Sequence, residues 1–526
     1  MRSKSTARWV LAATVLGSSM AFIDGTVVNV ALPVLQAELN ASSAGVQWVV
    51  EGYALFLAAL ILVGGSLGDN FGRRRMFVSG VAVFAAASAY CGLAPDVGNL
   101  VVARCIQGVG GALLVPNSLA IINAAFEGQE RGRAIGTWSG FTAITSAVGP
   151  ALGGVLVEQA SWRWVFFINL PLAALVLAIV LLRVHGSRDE SGPHRLDWLG
   201  ALLATLGLGS LTYGLILAGS EGIANPLAVA TIGGGIAALG AFLWVEARSR
   251  SPMMPLALFR SRTFSGANLL TFLLYAALGG ALYFFPFNLI QVQNYSPTIA
   301  GIALLPFTLI MFAFSRQAGG LIGRFGARRP LIVGPAIAAL GFALFALPGV
   351  GGSYWTTFFP AVVVLGIGMT ITVAPLTTAV MSAVDTSFSG AASGVNNALS
   401  RAAGLLAIAM LGVVMQIVFV ATLTPALEAA GVAGELQQAV QQQAGRLAAI
   451  EVSEDVPSEQ VQAVAQAVDT AFVSGFRAVM LVAAGLALAS ALSAAVLIED
   501  RPPARTADTE HHYLAASKQH SLGCSQ

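Results

Sequence analysis

The sequence predicts an all-α, polytopic membrane protein in which fourteen transmembrane helices form two six-helix bundles with two extra helices between them. Three observations carry this: composition, the number of apolar stretches and an internal repeat. Of 526 residues, 56% are hydrophobic and only 10% charged, and the mean hydropathy is +0.78. Such a composition excludes the three or four soluble domains that this length otherwise implies. A helix needs about 20 apolar residues to cross a bilayer, and fourteen stretches of that kind leave little chain for anything soluble.

Hydropathy, with Gly, Pro and charge as punctuation, places spans near 9–31, 47–68, 76–94, 99–123, 134–156, 164–184, 197–219, 224–246, 263–290, 298–322, 330–348, 355–380, 391–421 and 471–498. The first follows Arg2, Lys4 and Arg8 and reaches Pro33 without a small-residue cleavage site. It reads as a retained span rather than a secretory signal. No lipidation is expected, since the sequence does not begin Met-Gly and Cys524 is third from the end. Residues 1–184 are expected to form the first bundle, 185–262 the two inserted spans with their linkers, and 263–498 the second bundle. Residues 499–526 are expected to form a cytoplasmic tail.

Positive charge orients this array. With the amino terminus in the cytoplasm, 21 of the 27 basic residues fall in inward loops or at the termini, and outward loops hold only Arg163 and Arg446. The positive-inside rule therefore places both termini inside. The longest outward segment, 422–470, is rich in Gln and acid with alanines at helical spacing. It reads as a solvated amphipathic helix pair, with a substrate-capturing lid as the alternative.

Several chemistries are excluded. Cys91, Cys105 and Cys524 have no metal-site or disulfide spacing. The five histidines lie in loops or the tail, and no G-x-x-x-x-G-K-[ST] loop exists, so neither a His-x-x-x-His helix nor nucleotide-driven pumping can be built. A net charge of +2 gives no argument for nucleic acid as a partner.

The repeat aligns Gly65-Ser-Leu-Gly-Asp69-Asn-Phe-Gly72-Arg73-Arg74-Arg75 without gaps on Gly319-Gly-Leu-Ile-Gly323-Arg-Phe-Gly326-Ala-Arg328-Arg329. Each copy follows the second span of a six-span group, and duplicated bundles around a midplane site are a transporter architecture. Four segments in order carry a closer resemblance: Asp24-Gly-Thr-Val-Val-Asn29-Val-Ala-Leu-Pro33, the loop from Gly65 to Arg75, Arg104-Cys-Ile-Gln107-Gly108-Val-Gly-Gly-Ala, and Gly149-Pro150-Ala-Leu-Gly153-Gly154. The stretch Trp162-Arg-Trp-Val-Phe-Phe-Ile-Asn-Leu-Pro171 adds to it. From about Trp9 to Ile498 the chain resembles the major facilitator superfamily, specifically its fourteen-span drug:proton antiporter branch (the EmrB/QacA type). It departs from the family's pattern at Thr145, where a glycine is usual, and at Gly323, where the first loop copy has Asp69.

Asp24 is expected about seven residues from the outer end of span one and Arg104 about five residues into span four, so both lie roughly 8–10 Å below the outer surface at about 1.5 Å per residue. Glu51 falls near the same level. Intramembrane charges must face a wet cavity or one another, so Asp24 is read as a proton-exchanging group, against the alternative of a pair that only pins two helices. The resemblance implies that Arg104 controls the protonation of the acid. It also implies that Gly149, Pro150, Gly153 and Gly154 shape an exporter's seal, and that Asp69 reaches the start of a span near Gly390 and Ala391. Gly65, Gly72 and Arg73 belong to that gating loop, with the alternative that its arginines only fix topology. Asn29, Gln107, Tyr283, Asn288, Asn396 and Arg401 are candidates for a substrate cavity. Tyr275, Tyr283, Phe284, Phe285 and Phe287 either line an oily pocket or face lipid.

The function so implied is proton-coupled export of amphipathic, drug-like small molecules by alternating access. The transporter is expected to be a monomer in the plasma membrane, driven by the proton gradient without a cofactor, and not an enzyme. One alternative is a carrier of one defined metabolite, peptide or siderophore on the same scaffold. Another is a membrane sensor or scaffold without transport.

Overall fold

The computed structural model describes residues 4–126, 128–184, 197–249, 252–385, 388–453 and 455–499. The tail beyond Glu499 lies outside the described residues, as do Arg2, Arg188, Arg195, Arg250, Arg501, Arg505 and Lys518. Fourteen helices in the described residues are long and apolar enough to cross a membrane. They are α1 (Ala7–Glu38), α2 (Ser43–Phe71), α3 (Arg73–Leu93), α4 (Val97–Ala125), α5 (Arg133–Gln159), α6 (Trp164–Arg183), α7 (Trp198–Glu221) and α8 (Pro226–Arg248). They continue with α9 (Arg262–Val292), α10 (Pro297–Ser315), α11 (Arg328–Phe345), α12 (Phe359–Ser382), α13 (Ala391–Ala429) and α14 (Ser458–Leu497). Fourteen crossings bring both chain ends to one face, the terminal face. The α1–α2, α3–α4 and α13–α14 connections lie on the opposite, distal face.

The packing of the first six helices recurs in the last six. α1 packs on α4, α5 and α6, α2 on α4, and α3 on α4 and α6; in the same pattern α9 packs on α12, α13 and α14, α10 on α12, and α11 on α12 and α14. The two groups meet along α2 and α13 on one side and along α5 and α10 on the other. α7 leans on α2 and α13 at that junction, and α8 packs mainly on α7 with most of its surface exposed.

Both copies of the repeated loop turn at a glycine with positive φ. Gly72 is the single residue between α2 and α3, with φ +104°; Gly326 occupies the same place with φ +74°. A side chain is disfavoured in that backbone region. Gly72→Val is therefore expected to lower stability by about 1–3 kcal/mol, read as thermal unfolding in detergent. Gly65→Ala is the control, since a Cβ there would meet only Pro116 Cβ, at 3.6 Å.

The repeat also explains one of its arginines. Arg74 donates to the Leu181 carbonyl (3.1 Å) in the last turn of α6, and the aligned Arg328 donates to the Ala495 carbonyl in the last turn of α14. Each closes the carboxy-terminal end of the sixth helix of its own group, where unpaired carbonyls and the helix dipole favour a cation. Arg73 instead pairs with Asp69 at 2.8 Å. The partner the resemblance implied for Asp69, near Gly390 at the start of α13, has its side-chain surroundings outside the described residues.

Two boundaries differ from expectation. α1 does not stop near residue 31 but runs through Pro33 to Glu38. A proline removes one donor, but the carbonyl four residues back is the only group left without its usual bond, and such an interruption is tolerated in membrane helices. α13 and α14 extend into the segment read as 422–470. What remains between them is a short helix (Gly434–Gln442) and a turn of 3₁₀ helix (Ala444–Ala449). This segment is not a freely solvated helix pair: Val440, Ala444 and Leu447 are buried. It lies against the distal ends of α1, α2, α9, α13 and α14.

Candidate proton-coupling site

Tight helix approach builds the centre of the first group. At Gly108 of α4 a Cβ would sit 2.5 Å from the Tyr53 carbonyl of α2, so only hydrogen lets these backbones meet. That approach brings Arg104 and Gln107, one turn apart on α4, against α1 and α3.

Asp24 and Arg104 form a fully buried ion pair at 2.5 Å. Asp24 Oδ1 also accepts from Gln107 Nε2 (2.8 Å) and Asn169 Nδ2 (3.2 Å). Arg104 donates from Nε to the Val49 carbonyl (2.9 Å) and from Nη1 to Gln107 Oε1 (2.7 Å). Its guanidinium lies 4.4 Å from the Tyr53 ring centroid, a cation–π contact. Ser88 Oγ accepts from both Gln107 (2.8 Å) and Asn169 (2.9 Å). Five helices of the first group thus contribute to one polar cluster. Gln107 holds both members of the pair, its amide nitrogen on the acid and its oxygen on the cation.

Asp24 lies about fourteen residues from the distal end of α1 at Glu38, and its partner Arg104 about seven residues from the distal start of α4 at Val97, roughly 21 and 10 Å of helix at about 1.5 Å per residue. The added length of α1 beyond the expected span lies on the distal side of the pair. Glu51 is a correction. It is fully buried, but it does not join Asp24 and Arg104, and both its carboxylate oxygens lack hydrogen-bond partners. Val49 and Tyr53, four residues apart, share the α2 face turned to Arg104; Glu51, two residues from each, points nearly the opposite way.

The proposed cavity residues scatter. Gln107 belongs to the cluster above. Asn396 donates to Asn268 (3.1 Å) and Thr271 (2.7 Å), tying α13 to α9. Arg401 donates to Asn397 (3.2 Å) and lies within electrostatic range of Tyr53. Asn29 is half-buried on α1. Tyr283 and Asn288 are buried on α9, and Asn288 accepts from Gln293 (3.3 Å). Tyr283 stacks edge-on with Phe284 at 4.9 Å, and Phe285 packs on Phe345 at 5.1 Å. Tyr283, Phe284, Phe285 and Phe287 are buried, and Tyr275 is half-buried. Ser88, Asn169 and Tyr53 are members of the site that the sequence reading did not single out. Asn169 carried a signal, being the only amide or charged side chain between Arg163 and Arg183.

The glycines of Gly149-Pro150-x-x-Gly153-Gly154 face two ways. A Cβ at Gly149 would lie 2.0 Å from Thr26 Oγ1, and one at Gly153 would lie 2.6 Å from the Val27 carbonyl, both on α1 beside Asp24. A Cβ at Gly154 would lie 2.3 Å from the Pro297 carbonyl of α10, and one at Gly301 of α10 would lie 2.2 Å from the Pro150 carbonyl. Glu158 of α5 accepts from the Thr298 amide (3.1 Å). The motif therefore seats α5 on α1 and also seals α5 against the other group near the distal face. On the opposite side Gln36 of α1 donates to the Arg446 carbonyl of the distal segment (3.1 Å) and accepts from Gln291 of α9 (3.1 Å). The distal face is closed. At the start of α4, Asp96 accepts from the Asn99 amide (2.8 Å), and this bond holds its carboxyl below the usual range.

A family model described as Major Facilitator Superfamily matches residues 14–408, which takes in the ion pair, both loop copies and the inserted helices. The chain belongs to this superfamily. It is therefore a multi-pass membrane transporter and not an enzyme. It is 36% identical over 426 residues to multidrug resistance protein Stp of Mycobacterium tuberculosis, covering 80% of this chain and 78% of that protein. It is 33% identical over 500 residues to the tetracenomycin C resistance and export protein of Streptomyces glaucescens, covering 94% and 92%. Among solved structures, a bacterial homologue of the human lysosomal transporter Spinster superposes with a TM-score of 0.67 at 19% identity, covering 95% of this chain and 98% of that one. That likeness speaks for the fold alone.

Proposed function

We propose that this superfamily member is a proton-coupled exporter of amphipathic, drug-like small molecules. On this reading it works by alternating access between its two six-helix groups, in a plasma membrane with both termini cytoplasmic and the distal face extracellular. The observation that carries the proposal is the buried Asp24–Arg104 pair at the centre of the first group, shared by Gln107. Its relatives named for resistance and export support the class of cargo.

The geometry supports a specific exchange. Protonation of Asp24 cancels the attraction to Arg104, whose guanidinium still has the Val49 carbonyl, Gln107 Oε1 and the Tyr53 ring. These neutral groups keep the cation in place while the acid is neutral but do not neutralise it, so proton uptake leaves a buried charge uncompensated and favours rearrangement of the site. Asp24 lies on the α1 segment whose neighbours Thr26 and Val27 pack on Gly149 and Gly153. A change in its pairing acts directly on the helix that seals the distal face.

The test is substrate-induced proton movement in everted vesicles, with a panel of structurally unrelated amphipathic antibiotics. Wild type is expected to exchange protons for several of them and Asp24→Asn for none, with normal membrane insertion. Undiminished exchange in the variant removes Asp24 from the mechanism. Response to a single compound class favours the one-metabolite carrier.

A further inference from the structure

We infer that Glu51 is a proton-dependent latch: the distal face closes only after its carboxyl has taken up a proton from the distal side. The inference rests on the export reading only for calling that side extracellular.

Glu51 lies on the seam between the two groups, not in the cluster around Asp24. Gln47, one turn earlier on the same α2 face, projects onto α13, where a Cβ at Gly412 would meet its Nε2 at 2.1 Å. Tyr283 of α9, in the second group, lies within electrostatic range of Glu51. The carboxyl is 0% exposed and neither oxygen has a hydrogen-bond donor.

The ionisable groups on the surrounding elements do not compensate it. Arg104 of α4 is committed to Asp24 of α1 and to Val49. Arg401 of α13 is bonded to Asn397 and interacts with Tyr53, not with Glu51. Arg446 of the distal segment pairs with Glu451 at 3.7 Å. Tyr213 of α7, Tyr90 of α3, and Tyr275 and Tyr283 of α9 bring no positive charge. An ionised carboxylate stripped of water, donors and cations is not sustained in such a place, so the closed seam holds Glu51 as the neutral acid.

When the groups part on the distal side, the seam around Gln47 and Glu51 admits water. The Glu51 O–H bond then dissociates, leaving a carboxylate and passing the proton to that water. Closure requires the reverse: a proton from distal water forms the O–H bond before the seam dries. One proton thus separates the open from the closed distal face. Without it, the transporter does not return to the state that collects cargo at the terminal face.

Distance measurement between spin labels checks this. Leu93, at the distal end of α3, and Leu347, beyond the distal end of α11, are each 70% exposed and carry no role in the site. Labels attached there by ketone chemistry leave the native thiols untouched. In lipid nanodiscs, with Asp24→Asn as the background so that the central acid does not titrate, the ratio of open to closed distal populations is expected to rise with pH. Above the midpoint the rise is about tenfold per pH unit, the signature of one proton. Adding Glu51→Gln, or independently Glu51→Met, should hold the distal face closed with no pH response. A flat profile in the Asp24→Asn protein, or a pH response that survives in both double variants, overturns the inference. The vesicle result with Asp24→Asn is unaffected either way, so the two readings fail separately.

Discussion

Arg104→Ala is expected to destabilise the protein by about 3–5 kcal/mol, the usual cost of removing one partner of a buried pair. It strands the Asp24 carboxylate, which is 0% exposed, with only the amides of Gln107 and Asn169 as donors. The loss reaches further, since the same guanidinium holds the Val49 carbonyl of α2 and lies over Tyr53. Thermal unfolding in detergent reads the effect. The double variant Asp24→Asn/Arg104→Ala should recover most of the lost stability, because no charge is then left alone. It should remain inactive in proton exchange. If the double variant is as unstable as the single one, the damage comes from lost packing at Tyr53 and Val49 rather than from the unpaired acid.

The second large effect is conformational. Gly301→Val is expected to open the distal face and abolish transport while leaving each six-helix group folded. A side chain at Gly301 collides with the Pro150 carbonyl, where even a Cβ would lie 2.2 Å away. That carbonyl belongs to the other group, so the clash exists only while the distal ends of α5 and α10 are together. Overpacking of this kind costs about 1–3 kcal/mol, and every 1.4 kcal/mol shifts a two-state ratio about tenfold. The closed-to-open ratio should therefore fall about five- to 140-fold, read as a longer distance between labels at Leu93 and Leu347. Gly108→Val is the contrast. Its clash, 2.5 Å from the Tyr53 carbonyl for a Cβ, lies inside the first group and is present in every state. It should lower the unfolding temperature without favouring either conformation. A Gly301→Val protein that keeps wild-type distances would mean that the α5–α10 contact is not the seal.

Long apolar stretches, one-sided arginines and a repeated loop announce a membrane array directly, because the bilayer demands that every spanning segment satisfy its own backbone. The pairing of Asp24 with Arg104 was legible for a related reason: two opposite charges in hydrocarbon have few other partners. Glu51 was placed with them by depth alone, and depth does not fix the direction in which a residue faces. Only the helical phase set by Val49 and Tyr53 turns it toward the second group. The same blindness hid Ser88, whose polarity is unremarked until α3 closes around Gln107. Pro33 misled in the other direction, since a proline that ends a soluble helix can be carried inside a membrane one.

By itself the sequence determined the number of crossings, their duplication and the identity of the central acid and cation, since each follows from local chemistry in a solvent that tolerates no unpaired polar group. The tertiary structure decided which glycines face a partner within the group and which face the other group. It also decided which buried carboxyl is compensated and which is left alone. Those outcomes depend on helix rotation and on contacts between residues up to several hundred positions apart, and no single segment of the chain encodes them.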